Sequence, residues 1–291
     1  MRGMAIAVAG ILLGRAGPAQ SPTTPLVAVL EHPQCKKPSQ IMVRPLFTKD
    51  HDEWMALGSR EILDRAVPGE RQWTITLDGR NRGILRTTAA RPDTPGDRFT
   101  RDMLLELAPG QQPLHIANIK KQFGGWCEPP PDRPLVLVNG DNFRDPDAWK
   151  PFTPSAGVRQ IVFPAFHRAV DSVYNCPKDP EKAVLFDYTW SDLKIVAGYR
   201  DRVGRTIVAV ELDPRAWTCD ALRDPIWDMH WFRFVDQPVL FGRSLELVDA
   251  GDYDADGKSE LLFWHSGYDE DGYTLFSPDF TKRVDYWWSY H

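Results

Sequence analysis

The sequence has 291 residues, of which 42% are hydrophobic and 26% charged, so the chain can bury a sizeable core and wholesale disorder is excluded. Its formal net charge of -5 lacks the basic excess of a dedicated nucleic-acid or anionic-membrane binder, so no nucleic-acid partner is predicted. The 25 prolines and 21 glycines are spread along the chain, and such frequent breakers favour short strands and turns over long helices.

The first 19 residues are typical of a signal peptide. Arg2 supplies the positive start, Met4–Gly14 the apolar stretch, and Gly17–Ala19 the small residues at which cleavage occurs. The apolar stretch is too short to cross a bilayer, and no later run reaches about 18 apolar residues, so no membrane span is predicted. We therefore predict a secreted or periplasmic protein whose mature chain begins near Gln20. The alternative is an intracellular protein with an accidental leader.

The cysteines are four in number, and none of them forms a C-x-x-C pair, so zinc and redox motifs are not supported. They are Cys35, Cys127, Cys176 and Cys219. In an exported chain the even count predicts two disulfides, for which three connectivities are open. The alternative is four buried free thiols.

The mature chain is predicted to begin with an irregular, proline-rich arm over residues 20–40, followed by one all-β domain over residues 41–291. Trp54–Ala66 has loose helical spacing and predicts at most one short helix. Short apolar or alternating runs between turn residues predict strands. These runs are Trp73–Leu77, Ile84–Thr87, Met103–Leu107, Leu135–Val138, Ile161–Phe163, Val184–Phe186, Leu193–Ala197, Thr206–Val210, Val239–Phe241, Leu245–Val248, Leu261–Trp264 and Thr274–Phe276. The aromatic segment Asp285–His291 predicts a docked final strand.

So many short strands predict a β-propeller, regular or incomplete, with a β-sandwich as the alternative. A weak internal repeat favours the propeller, because Ala197–Ile207 and Ala250–Leu261 share a glycine, an aspartate before a second glycine, and a basic residue before the next apolar run. At about 40–50 residues per blade, about five to seven blades would fit. The late tryptophans are interpreted as core, with an exposed binding surface as the alternative. They are Trp227, Trp231, Trp264, Trp287 and Trp288.

One loop has the residue types and the spacing of a calcium site. Asp252, Asp254, Asp256 and Glu260 occupy positions 1, 3, 5 and 9, and the backbone carbonyl of Lys258 can serve at position 7. Calcium is a hard cation that takes six to eight oxygen ligands, and alternate residues of a tight loop can converge on it. Four carboxylates this close repel one another without a cation. The sequence therefore predicts one structural Ca²⁺ in this loop.

The loop is not an EF-hand, because position 12 is Phe263 rather than a bidentate glutamate, and because strands are predicted on both sides. Gly257 at position 6 permits the sharp turn. Asp249–Leu262 resembles the FG-GAP or VCBS repeat of integrin-like β-propellers. The resemblance is close over Ser244–Phe276 and weak over Leu193–Leu212. It implies a propeller with calcium at the tip of a hairpin over residues 245–276. The family usually carries several metal loops, whereas this sequence has one.

Other polar segments have turn chemistry rather than ligand spacing. Asp269–Gly272 is interpreted as a charged hairpin turn, and Asn139–Asp141 and Asp145–Asp147 as turn formers. The sequence has no H-E-x-x-H, no G-x-S-x-G elbow, no Walker loop and no G-x-G-x-x-G. These patterns give no support to a zinc hydrolase, a serine hydrolase or a nucleotide-binding enzyme.

Two functions from different classes follow. The preferred hypothesis is a non-enzymatic, monomeric, calcium-stabilised module with a structural role or with loops that bind a protein or a carbohydrate. The alternative is an exported carbohydrate-active enzyme that uses a carboxylate pair such as Asp187 and Asp192, because glycoside hydrolysis needs two carboxylates about 5–10 Å apart. A deep acidic cleft lined with exposed tryptophan, away from the calcium loop, would favour the enzyme.

Overall fold

Antiparallel sheets make up most of the fold in the computed structural model, which describes residues 24–32, 41–89, 104–125, 129–141, 143–170, 173–175, 184–213 and 229–289. The all-β prediction is confirmed: the described residues form three multistranded sheets and a two-stranded ribbon, with two short α-helices. None of these sheets closes into a barrel within the described ranges. The predicted leader over residues 1–19 and all four cysteines lie outside those ranges.

The first sheet has six strands in the order β3-β2-β1-β6-β4-β5. Its strands are β1 Leu26–Glu31, β2 Met42–Asp50, β3 Glu53–Ala56, β4 Arg71–Leu77, β5 Arg80–Thr87 and β6 Leu135–Val138. The Asp78–Gly79 turn joins β4 to β5, and both residues have positive φ, as a two-residue hairpin turn requires. Helix α1, Arg60–Ala66, covers the outer face of this sheet with Leu63.

The second sheet has five strands in the order β13-β12-β11-β10-β7. Its strands are β7 Lys150–Pro151, β10 Leu193–Arg200, β11 Thr206–Leu212, β12 His230–Phe234 and β13 Pro238–Arg243. Between β7 and β10 the chain forms helix α2, Val158–Ala169, and a ribbon of β8 Tyr174–Asn175 and β9 Val184–Leu185. Val162 and Phe166 of α2, one turn apart, pack on the outer face of this sheet.

The third sheet is a four-stranded meander, in which each strand pairs with the next along the chain. Its strands are β14 Leu245–Gly251, β15 Glu260–Gly267, β16 Glu270–Phe276 and β17 Arg283–Ser289. Strand β17 confirms the final strand predicted from the aromatic segment. The predicted charged turn at Asp269–Gly272 is confirmed for Asp269 only, because Glu270, Asp271 and Gly272 lie in β16.

The meander lies between the other two sheets. One of its faces packs on the six-stranded sheet, where Val29 and Val136 meet Leu262 and Trp264. Its other face packs on the five-stranded sheet, where Trp231 and Ala209 meet a further set of its residues. That set is Leu245, Leu247, Leu261, Phe263 and Phe276. The layers therefore follow one another as helix, sheet, meander, sheet, helix. Because the meander is covered on both sides, Leu261 to Ser266 is a continuous buried run rather than an alternating one.

Three predictions of local structure were wrong. Met103–Leu107, predicted as a strand, forms only isolated β-bridges at Leu105 and Leu107 among its described residues. Leu26–Glu31 lies inside the predicted irregular arm, yet it forms β1, the third of six strands and completely buried. The flanking prolines obscured an unbroken apolar strand. Ile161–Phe163, predicted as a strand, lies in α2. Its buried residues are spaced by four, and the interior Pro164 concealed that helical period.

The predicted blade count is not matched by the described residues, which form three multistranded sheets rather than about five to seven. Neither α-helix in the described ranges is long and apolar enough to cross a bilayer. The interpretation of the tryptophans as core is confirmed for Trp231 and Trp264, whereas Trp287 is partly exposed and Trp227 lies outside the described ranges.

Candidate functional site

The predicted calcium loop joins β14 to β15 and is called the acidic loop, Asp252–Glu260, below. Its base is closed by the pair Gly251 and Glu260, the last residue of one strand and the first of the next. Gly257 has a φ of +88°, which confirms that the sharp turn requires its conformational freedom. The loop therefore forms the tip of a hairpin, as its flanking strands predict.

Three of the five predicted ligands converge. One carboxylate oxygen from each of Asp252, Asp254 and Glu260 lies within 4.8 Å of the other two. Backbone amides orient these groups: Gly257 N donates to Asp252 Oδ2 at 3.0 Å, and Tyr253 N donates to Glu260 Oε2 at 3.0 Å. The other oxygen of Asp252, Oδ1, is buried and has no hydrogen-bond partner among the described residues. An oxygen in that position lacks the donor or cation that burial requires.

The two other predicted ligands are arranged differently. The carboxylate of Asp256 lies outside the converging group and accepts a hydrogen bond from Lys258 N at 2.8 Å. Because Asp256 is exposed at the tip of the loop, it faces water rather than the three converging oxygens. Lys258 is also exposed. The contribution of its backbone carbonyl stays a prediction.

Burial makes the carboxyl groups of Asp252 and Glu260 costly to ionise. Glu260 is only 2% exposed, and burial together with the nearby Asp254 carboxylate raises its pKa to about 8. Burial also raises the pKa of Asp252, and the charges of Asp254 and Asp256 add to the effect. A cation close to these oxygens would reverse both effects, because it favours the ionised form.

Lys49 of β2 supplies one cation to the site, which the sequence analysis missed. Its ammonium forms an ion pair with Oδ2 of Asp254, whose side chain is only 2% exposed. Burial opposes the charge on Lys49, but the hydrogen bond and the attraction of Asp254 raise its pKa. The two residues are 205 positions apart, so no local pattern could have paired them.

A second group missed from the sequence anchors the base of the loop. Ser259 is fully buried, its backbone amide donates to Asp147 Oδ2 at 3.1 Å, and its hydroxyl donates to Asp145. Asp147 also forms a 2.8 Å ion pair with Arg205. Asp145 and Asp147 therefore act as more than the turn formers predicted: they fix the acidic loop to the segment before β7.

The loop between β10 and β11 joins the first two strands of the run β10–β13, as the acidic loop joins the first two strands of the meander. In both, an aspartate accepts a hydrogen bond from the amide two residues later: Val203 N to Asp201 at 3.0 Å, and Asp256 N to Asp254 at 3.1 Å. In the first loop the guanidinium of Arg205 pairs with Asp201. That loop has two arginines, Arg202 and Arg205, for one carboxylate, whereas the acidic loop has four carboxylates and one lysine.

Of the carboxylate pair suggested for an enzyme, Asp192 has a structural role. Asp192 accepts hydrogen bonds from Thr189 N at 2.8 Å and from Thr189 Oγ1 at 2.9 Å, and so caps the 3-10 turn Trp190–Asp192. Asp187 is exposed. This capping role explains the orientation of the Asp192 carboxylate without a catalytic function.

No family model, curated protein or solved structure matches the chain.

Proposed function

We propose that this chain is an exported, non-enzymatic β-domain whose acidic loop binds one Ca²⁺, and that the ion stabilises the fold. The observation that carries the proposal is the convergence of Asp252, Asp254 and Glu260, three carboxylates whose oxygens lie within 4.8 Å of one another. Hard divalent cations prefer such oxygens. Bound there, Ca²⁺ would neutralise the loop and supply the missing partner of Asp252 Oδ1.

The charges near the loop support a divalent ion over a bare turn. The loop has four carboxylates and its own Lys258, and Lys49 pairs with Asp254, so the formal balance of these six groups is -2. The corresponding loop at Asp201 has its own arginine and no such excess. A doubly charged cation would cancel this excess. Because the sequence has no hydrolase motif, the proposed role of the ion is structural.

The topology supports the finer proposal that the fold is an incomplete propeller. Strands β10–β13 and β14–β17 are both four-stranded meanders in which the two similar loops join the first strand to the second. Adjacent sheets also pack face to face, as blades do. In this proposal the calcium-stabilised blade holds neighbouring loops in place for a protein or carbohydrate partner outside the cell.

The proposal is tested by calcium titration calorimetry and by thermal unfolding with calcium or with chelator. Extracellular modules have dissociation constants of about 10⁻⁴–10⁻³ M. At a hundredfold excess over that constant, we expect Ca²⁺ to raise the free energy of unfolding by about 2.7 kcal/mol. Asp254→Asn should weaken calcium binding by at least about tenfold, because it removes one charged ligand oxygen. Asp236→Asn, a change of the same chemistry at an exposed turn, should leave binding unchanged.

A second variant separates the roles of calcium and Lys49. Lys49→Met removes the ammonium that competes for Asp254, so it should strengthen calcium binding and increase the stabilisation that calcium produces. If the wild-type protein gives no binding heat and melts at the same temperature in calcium and in chelator, Lys49 is the permanent counter-ion of the loop and the proposal is wrong.

A further inference from the structure

A polar cavity of about 670 Å³ lies where the three sheets meet, within the size range of small-molecule sites. Its wall comes from the Asp78–Gly79 turn of the first sheet, from Trp149–Pro151 and Tyr199 of the second, and from Glu246–Ala250 of the meander. Strand β14 is the edge strand of the meander, so this side of it carries no further strand in the described part of the chain. The cavity is thus built by segments from all three layers.

A β-bulge directs two carboxyl groups of β14 to the same face. The register shifts between Leu247 and Asp249, so that Glu246 pairs with Trp264 and Asp249 with Leu262. Trp264 and Leu262 are two residues apart on β15 and share a face, and their partners therefore share it too. Without the bulge, Glu246 and Asp249 would point to opposite faces.

The two carboxyl groups have different roles. Asp249 is saturated: it accepts hydrogen bonds from Thr76 Oγ1 at 2.8 Å, from Gly79 N at 3.1 Å and from Ala250 N at 2.9 Å. It therefore holds the β4–β5 turn against the meander. Glu246 accepts one hydrogen bond among the described residues, from Gln122 Nε2 at 3.0 Å. Its carboxyl group keeps hydrogen-bonding capacity for a ligand.

Two donors in the wall also lack an acceptor. Trp149 is only 9% exposed, and its indole Nε1 has no hydrogen-bond partner among the described residues. Nε of Arg133 is also buried and has no hydrogen-bond partner among the described residues. Another nitrogen of that guanidinium donates to the Val248 carbonyl. Buried donors of this kind favour a ligand that brings acceptor oxygens.

The wall carries charges of both signs, so it is not built for a ligand with a single strong charge. Four acidic side chains, Asp78, Asp145, Glu246 and Asp249, and four basic ones, Arg80, Arg82, Arg133 and Lys150, line the cavity. Burial raises the pKa of Glu246 to about 8, so near neutral pH this group is a hydrogen-bonding carboxyl rather than a counter-ion for a cation.

We propose that this cavity binds a neutral sugar. Each hydroxyl of a sugar both donates and accepts, so one ligand can satisfy Trp149 Nε1, Arg133 Nε and the Glu246 carboxyl together. Tyr199, half-buried in the wall, offers an aromatic surface to the apolar face of the ring. The proposal does not depend on calcium in the acidic loop.

The test uses the whole protein in calcium buffer and a panel of neutral sugars: glucose, galactose, mannose, N-acetylglucosamine, maltose, cellobiose and lactose. Saturation-transfer NMR identifies binders, and calorimetry measures their affinity. We expect saturable binding of at least one sugar, and a loss of affinity of at least about tenfold in Tyr199→Ala and in Glu246→Ala. Arg168→Ala, on the exposed side of α2, should bind as the wild type does.

A readout within the wild-type protein guards against variants that fold poorly. The indole ¹H–¹⁵N resonance of Trp149, assigned by its loss in Trp149→Phe, should move when the sugar binds, because Nε1 gains an acceptor. Phosphate and tetramethylammonium serve as charged probes. The proposal is overturned if no sugar binds, if a charged probe binds in place of the sugars, or if a sugar binds without moving that resonance.

Discussion

Replacing Arg44 with methionine is expected to lower the free energy of unfolding by about 3–5 kcal/mol, the usual cost of removing one partner of a buried ion pair. Arg44 of β2 is 2% exposed and donates from Nε to Glu31 Oε1 of β1 at 2.6 Å. Tyr273 of β16 donates its hydroxyl to the other oxygen of Glu31, and Trp288 of β17 lies 4.2 Å from the guanidinium. Without Arg44, Glu31 would be a buried charge between the two sheets.

Urea unfolding followed by tryptophan fluorescence measures this effect. Arg65→Met is the matched control, because Arg65 pairs with Glu61 on the exposed surface of α1 and such pairs contribute at most about 1 kcal/mol. Combining Arg44→Met with Glu31→Gln should recover part of the lost stability, since the uncompensated charge is then gone. A loss below about 1 kcal/mol in Arg44→Met would show that the network does not join the sheets as described.

Glu246→Gln is expected to remove a fall in stability that the wild-type protein undergoes as pH rises. Burial raises the pKa of Glu246 from 4.5 to about 8 in the folded protein, against the attraction of Arg133 and Lys120. Between these values the unfolded chain releases its proton while the folded chain retains it, so the free energy of unfolding falls as pH rises. The slope is absent below about pH 4.5 and ends above about pH 8.

The two proteins should therefore diverge by several kcal/mol between pH 5 and pH 8, at about 1.4 kcal/mol for each unit by which the pKa is raised. Glutamine keeps an oxygen that can accept from Gln122, so the comparison isolates the charge. Asp249 and Glu260, whose pKa values burial raises to about 6 and about 8, contribute the same slopes to both proteins. Glu70→Gln, at an exposed position, should follow the wild-type curve. A difference between Glu246→Gln and wild type that is constant with pH would contradict the assignment.

The sequence predicted those parts of the fold and site that local patterns determine. Alternation and turn residues located the hairpin around Gly204 and the strands on both sides of the acidic loop. Carboxylate spacing identified Asp252, Asp254 and Glu260, because a tight turn brings neighbouring residues together regardless of the rest of the chain.

What the sequence did not reveal depends on contacts between distant segments. Lys49 reaches Asp254 only because the six-stranded sheet packs on the meander, and Asp145 reaches Ser259 across more than a hundred residues. The cavity was also hidden, because Glu246 and Asp249 face the same way only through a bulge. Strand β1 was missed because an unbroken apolar run among prolines has no alternation to read.

The stacking of the layers also constrains the order in which the protein can be completed. The middle layer, residues 245–289, follows both of its neighbours in the chain, so synthesis produces the outer sheets first. Until it is in place, each outer sheet presents a bare apolar face, with residues such as Phe47 on one and Trp231 on the other in water. Incomplete or truncated chains would thus expose two apolar surfaces at once. Such chains aggregate and are bound by chaperones. Strands β14–β17 cover both apolar faces once they have been synthesised.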